Sequence, residues 1–192
     1  MPTVAEDDLT RCSWATSAPE YVPYHDEEWG TPLHGDDALF ERLCLEAFQS
    51  GLSWLTILRK RPAFRAAFAG FSIDAVAAFS ADDEARLLAD AGIVRNRAKV
   101  AAAIANARAA QQVPEGLSVL LWSFAPTASR PRPATIAEVP ATSRESVAMA
   151  KELKRRGFVF VGPTTAYALM QATGMVDDHV ADCFRAAPAR AT

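Results

Sequence analysis

The sequence predicts an all-α fold, and three observations carry that prediction. Apolar residues recur at three- and four-residue steps along most of the chain. Cap residues, glycines and prolines punctuate that pattern at helix-like intervals. The stretch with the weakest helical pattern, Ala125 to Pro140, is proline-rich and so reads as an irregular connection rather than a hidden pair of strands. With 192 residues, 50% of them hydrophobic, the chain can bury a real core as one domain or as two tightly joined lobes. Charged residues at 22%, with 9 glycines and 12 prolines, exclude wholesale disorder and the collagenous, coiled-coil and low-complexity classes.

Taken in order, residues 1–35 are rich in Pro, Asp, Glu and aromatics and read as an irregular arm carrying one short helix. From Asp36, the spacing of Leu39, Phe40, Leu43, Ala47 and Phe48 predicts a helix that ends near Gly51. A second helix starts at about Ser53 and runs through Leu55, Ile57 and Leu58 to Arg59-Lys60-Arg61. Pro62 is expected at its boundary or in the first turn of another short helix. Three helices follow, Ile73 to Phe79, Asp82 to Ala91 and Arg95 to Ala110, with Ser80 as N-cap and Asp83 three residues on. Gly92 interrupts the pattern so sharply that residues 82–110 read as helix, tight hairpin, helix. Thr142 and Glu145 suit a capping box for a helix through Arg156, with Gly157 just past its end. Gly162-Pro163-Thr164 opens a helix that Gly174 closes, and a last short helix is expected from Asp177 or Asp178. The sum is eight to ten short helices without an internal repeat.

The first ten residues hold Glu6, Asp7 and Asp8 but no basic and apolar run of a secretory signal, and nothing approaches eighteen consecutive apolar residues. A cytoplasmic location without membrane association is therefore expected. Cys12, Cys44 and Cys183 are too few and too scattered for a disulfide framework, which leaves burial or metal binding. Net charge is −3, yet it is unevenly placed: residues 1–46 hold 11 acids and 2 bases, the remainder 12 acids and 18 bases. That balance argues against a general nucleic-acid binder and leaves room for local basic patches.

Four features depart from an ordinary helical pattern. Glu46 falls on the apolar face set by Leu39 and Leu43, where it either reaches out at the stripe's edge to pair with an arginine or lines a pocket whose ligand satisfies it. Trp14, Tyr21, Tyr24, Trp29 and Trp54 gather around the arm and the Gly51 break, either as core packing or as a slot for a flat or cationic ring. Cys12 and His25 near one end, with His179 and Cys183 near the other, are two weak half-sites that together would make a closed Cys2His2 zinc site; each half alone is by default a buried Cys and a hydrogen-bonded His. In the stretch Leu87 to Lys99, the turn at Gly92 with Arg95, Arg97 and Lys99 suits either a phosphate or a plain helical hairpin with a basic face.

Together these residues resemble the constitutive, type I family of 3-methyladenine DNA glycosylases within the helix-hairpin-helix glycosylase superfamily. The resemblance runs from about Arg11 to Phe184. It rests on RCSW (11–14), YHDEEWG (24–30), FERLCLEAFQSGLSW (40–54), DAGIVRNRAKV (90–100), RGFVFVGPTTAYALMQATGMVDDH (156–179) and Cys183. It implies one glycosylase domain with two helical lobes around a base-binding pocket, and a structural zinc ion held by Cys12, His25, His179 and Cys183 that joins the terminal segments. It also implies that Tyr24, Glu46 and Trp54 surround the excised base, with Trp29 and Tyr21 as outer wall, and that Gly92, Arg95 and Lys99 hold the DNA backbone.

The expected partner is double-stranded DNA carrying alkylated bases, met by a monomer. The expected reaction is monofunctional hydrolysis of the glycosidic bond of 3-methyladenine after base flipping. No lysine stands out as a Schiff-base former, and Lys99 to Ala110 holds no acid to act as the superfamily's usual aspartate. Departures from the family pattern are ten extra residues before Arg11 and a short tail after Cys183 without a further cysteine. The competing reading is a zinc-stabilised helical module that binds DNA or a modified base without cutting it.

Overall fold

A computed structural model describes residues 8–128 and 131–185, and no strand occurs among them. The acids Glu6 and Asp7, with the rest of the extension before Asp8, lie outside the described residues. The arm forms one short helical segment, α1 (Tyr21–Pro23), continued by a π turn over Tyr24–Glu28. Eight further helices follow: α2 (Asp36–Gln49), α3 (Trp54–Ala67), α4 (Ile73–Ala77), α5 (Ala81–Ala89), α6 (Arg97–Gln111), α7 (Leu117–Trp122), α8 (Arg144–Arg155) and α9 (Pro163–Ala172).

Local chemistry fixes most of these boundaries. Ser53, Ser72, Ser80 and Asn96 each accept a hydrogen bond from a backbone N–H of the first turn that follows, and at Ser80 the Asp83 side chain completes the reciprocal box. α8 and α9 both end in the same way. Gly157 (φ 92°) and Gly174 (φ 72°) adopt the left-handed conformation, while Phe158 N–H and Met175 N–H reach back to the carbonyls of Leu153 and Met170.

Three expectations are corrected. Pro62 lies inside α3, which runs through it without a break. Proline forfeits one backbone hydrogen bond there, but the turns beyond it carry Phe64, Ala67 and Phe68 into the core, and that burial outweighs the loss. The box opening α8 is formed by Ser143 and Ser146, not Thr142 and Glu145. No helix follows Gly174 among the described residues. There Asp177 takes up the His179 N–H, and the Ala181 and Phe184 N–H groups pair with carbonyls of Pro133 and Thr10, so the segment is held by other parts of the chain.

α2 is the central element and is buried almost all round, including the charged Arg42 and Glu46. Leu39, Phe40, Leu43, Leu45 and Phe48 anchor the main core. Phe48 continues into a ladder of rings through Phe64, Phe68 and Phe71 at 4.7 to 5.8 Å. A second, smaller apolar group gathers Cys12, Tyr24, Trp29, Leu58, Ala172, Val180 and Cys183, so that the arm and the C-terminal segment close over one end of α3 and α9. Gly30 and Gly174 permit this closure. Both have positive φ, and a Cβ would lie 2.6 Å from His179 Cε1 at Gly30 and 2.6 Å from Pro32 N at Gly174.

Candidate active site

Glu46 sits on the inward face of α2 at 6% exposure, and its carboxylate has no hydrogen-bond partner among the described residues. Burial pushes its carboxyl up to about 7, against the downward pull of Arg42 one helical turn earlier. Tyr24 from the arm faces Glu46, and burial drives the Tyr24 phenol well above its usual range. Tyr24 and Trp54, at the start of α3, pack with ring centroids 5.4 Å apart at 42°. The Trp54 indole Nε1 is buried and has no partner. The structure thus packs Tyr24 against Trp54 and puts Glu46 within electrostatic reach of Tyr24, with a carboxylate that makes no hydrogen bond and an unpartnered indole donor in this region.

Trp29 and Tyr21 occupy a different layer. Each meets Trp14 edge-on, at 5.2 and 5.6 Å, and Trp14 in turn lies 6.2 Å from Tyr24. Trp29 also packs against His179 at 4.7 Å, which places it closer to the histidine cluster than to Glu46.

Sequence reasoning missed Arg42. Its guanidinium lies 5.6 Å from the Tyr24 ring centre and 6.0 Å from that of Trp54, and it donates to Glu28 at 3.2 Å and to the Tyr24 hydroxyl at 3.5 Å. Glu28 is also held by Arg61 through both its oxygens, at 2.6 and 2.7 Å. The available signal was Arg42 four residues before Glu46, on the same face of an otherwise apolar helix.

Cys12, His25 and Cys183 converge, with their donor atoms all within 4.8 Å of one another and every residue buried, so these three can hold a metal ion. His179 stands beside them, its ring 5.1 Å from that of His25 and its buried Nε2 without a partner. Each histidine turns its Nδ1 to a carboxylate, His25 to Asp26 at 2.8 Å and His179 to Asp177 at 3.1 Å, which turns the Nε2 atoms to the cluster, that of His25 lying 3.4 Å from Cys183 Sγ and that of His179 unpartnered. Burial pushes the Cys12 thiol up to about 12, a cost that an adjacent cation reverses. Donor set, orphaned Nε2 and carboxylate support all fit a zinc ion. The aspartates next to each histidine in sequence, His25-Asp26 and Asp177-Asp178-His179, were the readable sign of this support.

The hairpin at Gly92 differs from expectation in two of its three residues. The Gly92 N–H is already taken by Asp90 Oδ1 at 2.7 Å, so the turn does not present it to a phosphate. Lys99 is buried, with its ammonium on the carbonyls of Phe48 (2.9 Å) and Ser50, where it ties α6 to the C-terminal end of α2. Arg95 is exposed. A second helical hairpin joins α8 to α9. Its α9 opens on Gly162-Pro163-Thr164, all exposed, with no side chain capping the first turn, and exposed Lys151 and Lys154 lie on α8.

With this helical fold and site in place, the chain belongs to the methyladenine glycosylase family, whose model matches residues 14–186. Among individual proteins, it is 45% identical over 179 residues to DNA-3-methyladenine glycosylase 1 of Escherichia coli strain K12, covering 91% of this chain and 96% of that one. A crystal structure of 3-methyladenine DNA glycosylase I superposes with a TM-score of 0.87 at 43% identity, over 92% of this chain and 99% of the other. The Staphylococcus aureus 3-methyladenine DNA glycosylase I, solved for its recognition of 3-methyladenine, gives 0.85 at 34% identity over 92% and 96%.

Proposed function

We propose that this protein is a monofunctional DNA-3-methyladenine glycosylase that removes the alkylated base from double-stranded DNA as one helical domain acting as a monomer. The observation that carries this reading is Glu46, 6% exposed and without a hydrogen bond, within electrostatic reach of Tyr24, whose ring packs on that of Trp54. Flipping the lesion into such a site costs a few kcal/mol, which stacking and cation–π attraction to the methylated ring offset. Glu46 accepts hydrogen bonds from the base's N–H donors and complements its positive charge. An uncharged base lacking those donors would leave the carboxylate desolvated and unpaired.

The chemical step is hydrolysis. Water adds its oxygen to the sugar's anomeric carbon and releases a proton, while the glycosidic pair leaves with the base as neutral 3-methyladenine. Glu46 is not the nucleophile. Two of the acids that follow α9 are committed elsewhere, Asp177 to His179 and Arg132 and Asp178 to Tyr167 and Gln171, so neither is placed as a free base. Cys12, His25, His179 and Cys183 would hold one zinc ion, which supplies a cross-link between arm and C-terminal segment and no step of the reaction.

DNA contact is assigned to helical hairpins of the superfamily type. The open first turn of α9 beside Lys151 and Lys154 favours the α8–α9 hairpin for the phosphates, with exposed Arg95 on the α5–α6 hairpin as an additional charge. Replacing Lys151 and Lys154 together with Ala should weaken binding to damaged and undamaged duplex alike, and reduce the slope of log K against log salt by about one to two. A larger effect from Arg95→Ala with Arg97→Ala would return the backbone to the α5–α6 hairpin.

The deciding experiment treats DNA with a methylating agent, incubates it with the purified zinc-loaded protein and identifies the freed bases by chromatography. Release of 3-methyladenine is expected. Folded protein that releases none, while still binding the DNA, would make this a binding module instead.

A further inference from the structure

Arg42 is the least expected group around Glu46, and its surroundings give it a task. A guanidinium at 8% exposure is tolerated only with compensating charge. Its one direct carboxylate partner, Glu28, already receives two hydrogen bonds from Arg61, so a single negative charge is shared by two arginines. Arg61 also has the attraction of Glu41, whereas Arg42 has only its share of Glu28, and one helical turn further along α2 stands Glu46, which has no hydrogen bond of its own. The Arg42 guanidinium also lies over the Tyr24 and Trp54 rings and donates to the Tyr24 hydroxyl, so it reaches both aromatic side chains of the inner site.

We propose that Arg42 is a positioning residue: from behind the aromatic pair it fixes Tyr24 and offers an opposite charge to Glu46 one helical turn on, with Glu28 and Arg61 setting how much of that charge is left unpaired. The inference rests on the assignment of Glu46 to the base. Arg42 on α2 itself is the charge that acts on Glu46 directly, and Tyr24 of the arm feels both; Glu28 of the arm and Arg61 of α3 act through Arg42, with Glu41 of α2 also acting on Arg61. Lys99 of α6 spends its charge on the α2 terminal carbonyls further along. Burial drives the Glu46 carboxyl upward and Arg42 opposes it, so removing Arg42 leaves burial unopposed and the carboxyl protonated to a higher pH.

The test is the pH profile of single-turnover release of 3-methyladenine from methylated duplex at saturating enzyme, read on variants whose folding is checked by circular dichroism. For the parent protein, excision should fall on the acid side as Glu46 gains its proton. In Arg42→Met that acid limb should move to higher pH by roughly one to three units, the scale for losing an opposite charge within about 4–6 Å. Arg42→Lys should bring it back toward the parent. Glu28→Gln should move it the opposite way, to lower pH, because Arg42 then loses its direct carboxylate partner. It also serves if Arg42→Met fails to fold. An acid limb that stays in place in folded Arg42→Met, or in Glu28→Gln, overturns the proposal. A parent protein that releases no base at any pH overturns instead the assignment on which it rests.

Discussion

Two buried polar regions lie back to back, separated by one peptide bond between Tyr24 and His25, and they are built on opposite terms. Around Cys12, His25, His179 and Cys183 the supporting contacts are complete: each histidine is oriented by a carboxylate, and Asp26 and Asp177 are themselves held by Arg11 and Arg132. Around Glu46 and Trp54 they are not, because the Trp54 indole N–H is buried with nothing to bond and the Glu46 carboxylate, on a residue 6% exposed, makes no hydrogen bond. A region whose polar groups are oriented from behind and converge suits a permanent ion. A region that leaves a donor and an acceptor unsatisfied stores a cost that only a visiting ligand relieves. On the function proposed above, the difference would separate a part that keeps the chain folded from a part that recognises substrate.

Substitution on each side should break the comparison cleanly. Glu46→Gln is expected to lose excision by about 100-fold or more, the scale for removing a buried charge complement from a reacting site. Its fold should survive. The folded state holds the Glu46 proton up to about pH 7, whereas the unfolded chain releases it near 4.5. Ionised Glu46 therefore costs stability, increasingly as pH rises between those values, and Glu46→Gln should melt no lower than the parent above pH 7. An active Glu46→Gln enzyme would remove the central assignment.

Cys183→Ser should do the reverse. Bound zinc should fall from one per chain and the melting temperature should drop by on the order of 10 °C, with activity lost only through unfolding. A variant as stable as the parent, or a parent that binds no metal, would make the cluster a plain set of buried thiols and imidazoles. The smallest effect in this comparison comes from the hairpins, where the lysine pair on α8 should change affinity and salt slope without altering melting or base choice.

Much of the fold was readable because its signals are local. Ser80 with Asp83, Gly157 and Gly174 mark ends through hydrogen bonds made within a few residues, and α2, α5, α6, α8 and α9 fall close to their predicted spans. Pro62 failed as a boundary because a local penalty was outweighed by core contacts that lie far off in sequence. The segment after Gly174 failed as a helix because its N–H groups find partners at Pro133 and Thr10, which no local pattern reports. In the site, Tyr24, Glu46 and Trp54 were named from the sequence; the structure packs Tyr24 on Trp54 and brings the charge of Glu46 to bear on Tyr24. Trp29 and Tyr21 were grouped with them by residue type, yet they pack around Trp14.

The sequence by itself determined which residues face inward, where helices start and stop, and that Glu46 breaks an apolar stripe, since periodicity and capping are properties of adjacent residues. Only the tertiary structure decided what each inward polar group meets. Lys99, which reads as a phosphate contact, turns in to cap α2, and Gly92 gives its N–H to Asp90. Arg42, an unremarked base on a helix, becomes the charge beside Glu46. The physical reason is that a buried charge is placed by partners contributed from other elements, and those distances exist only once the chain has closed.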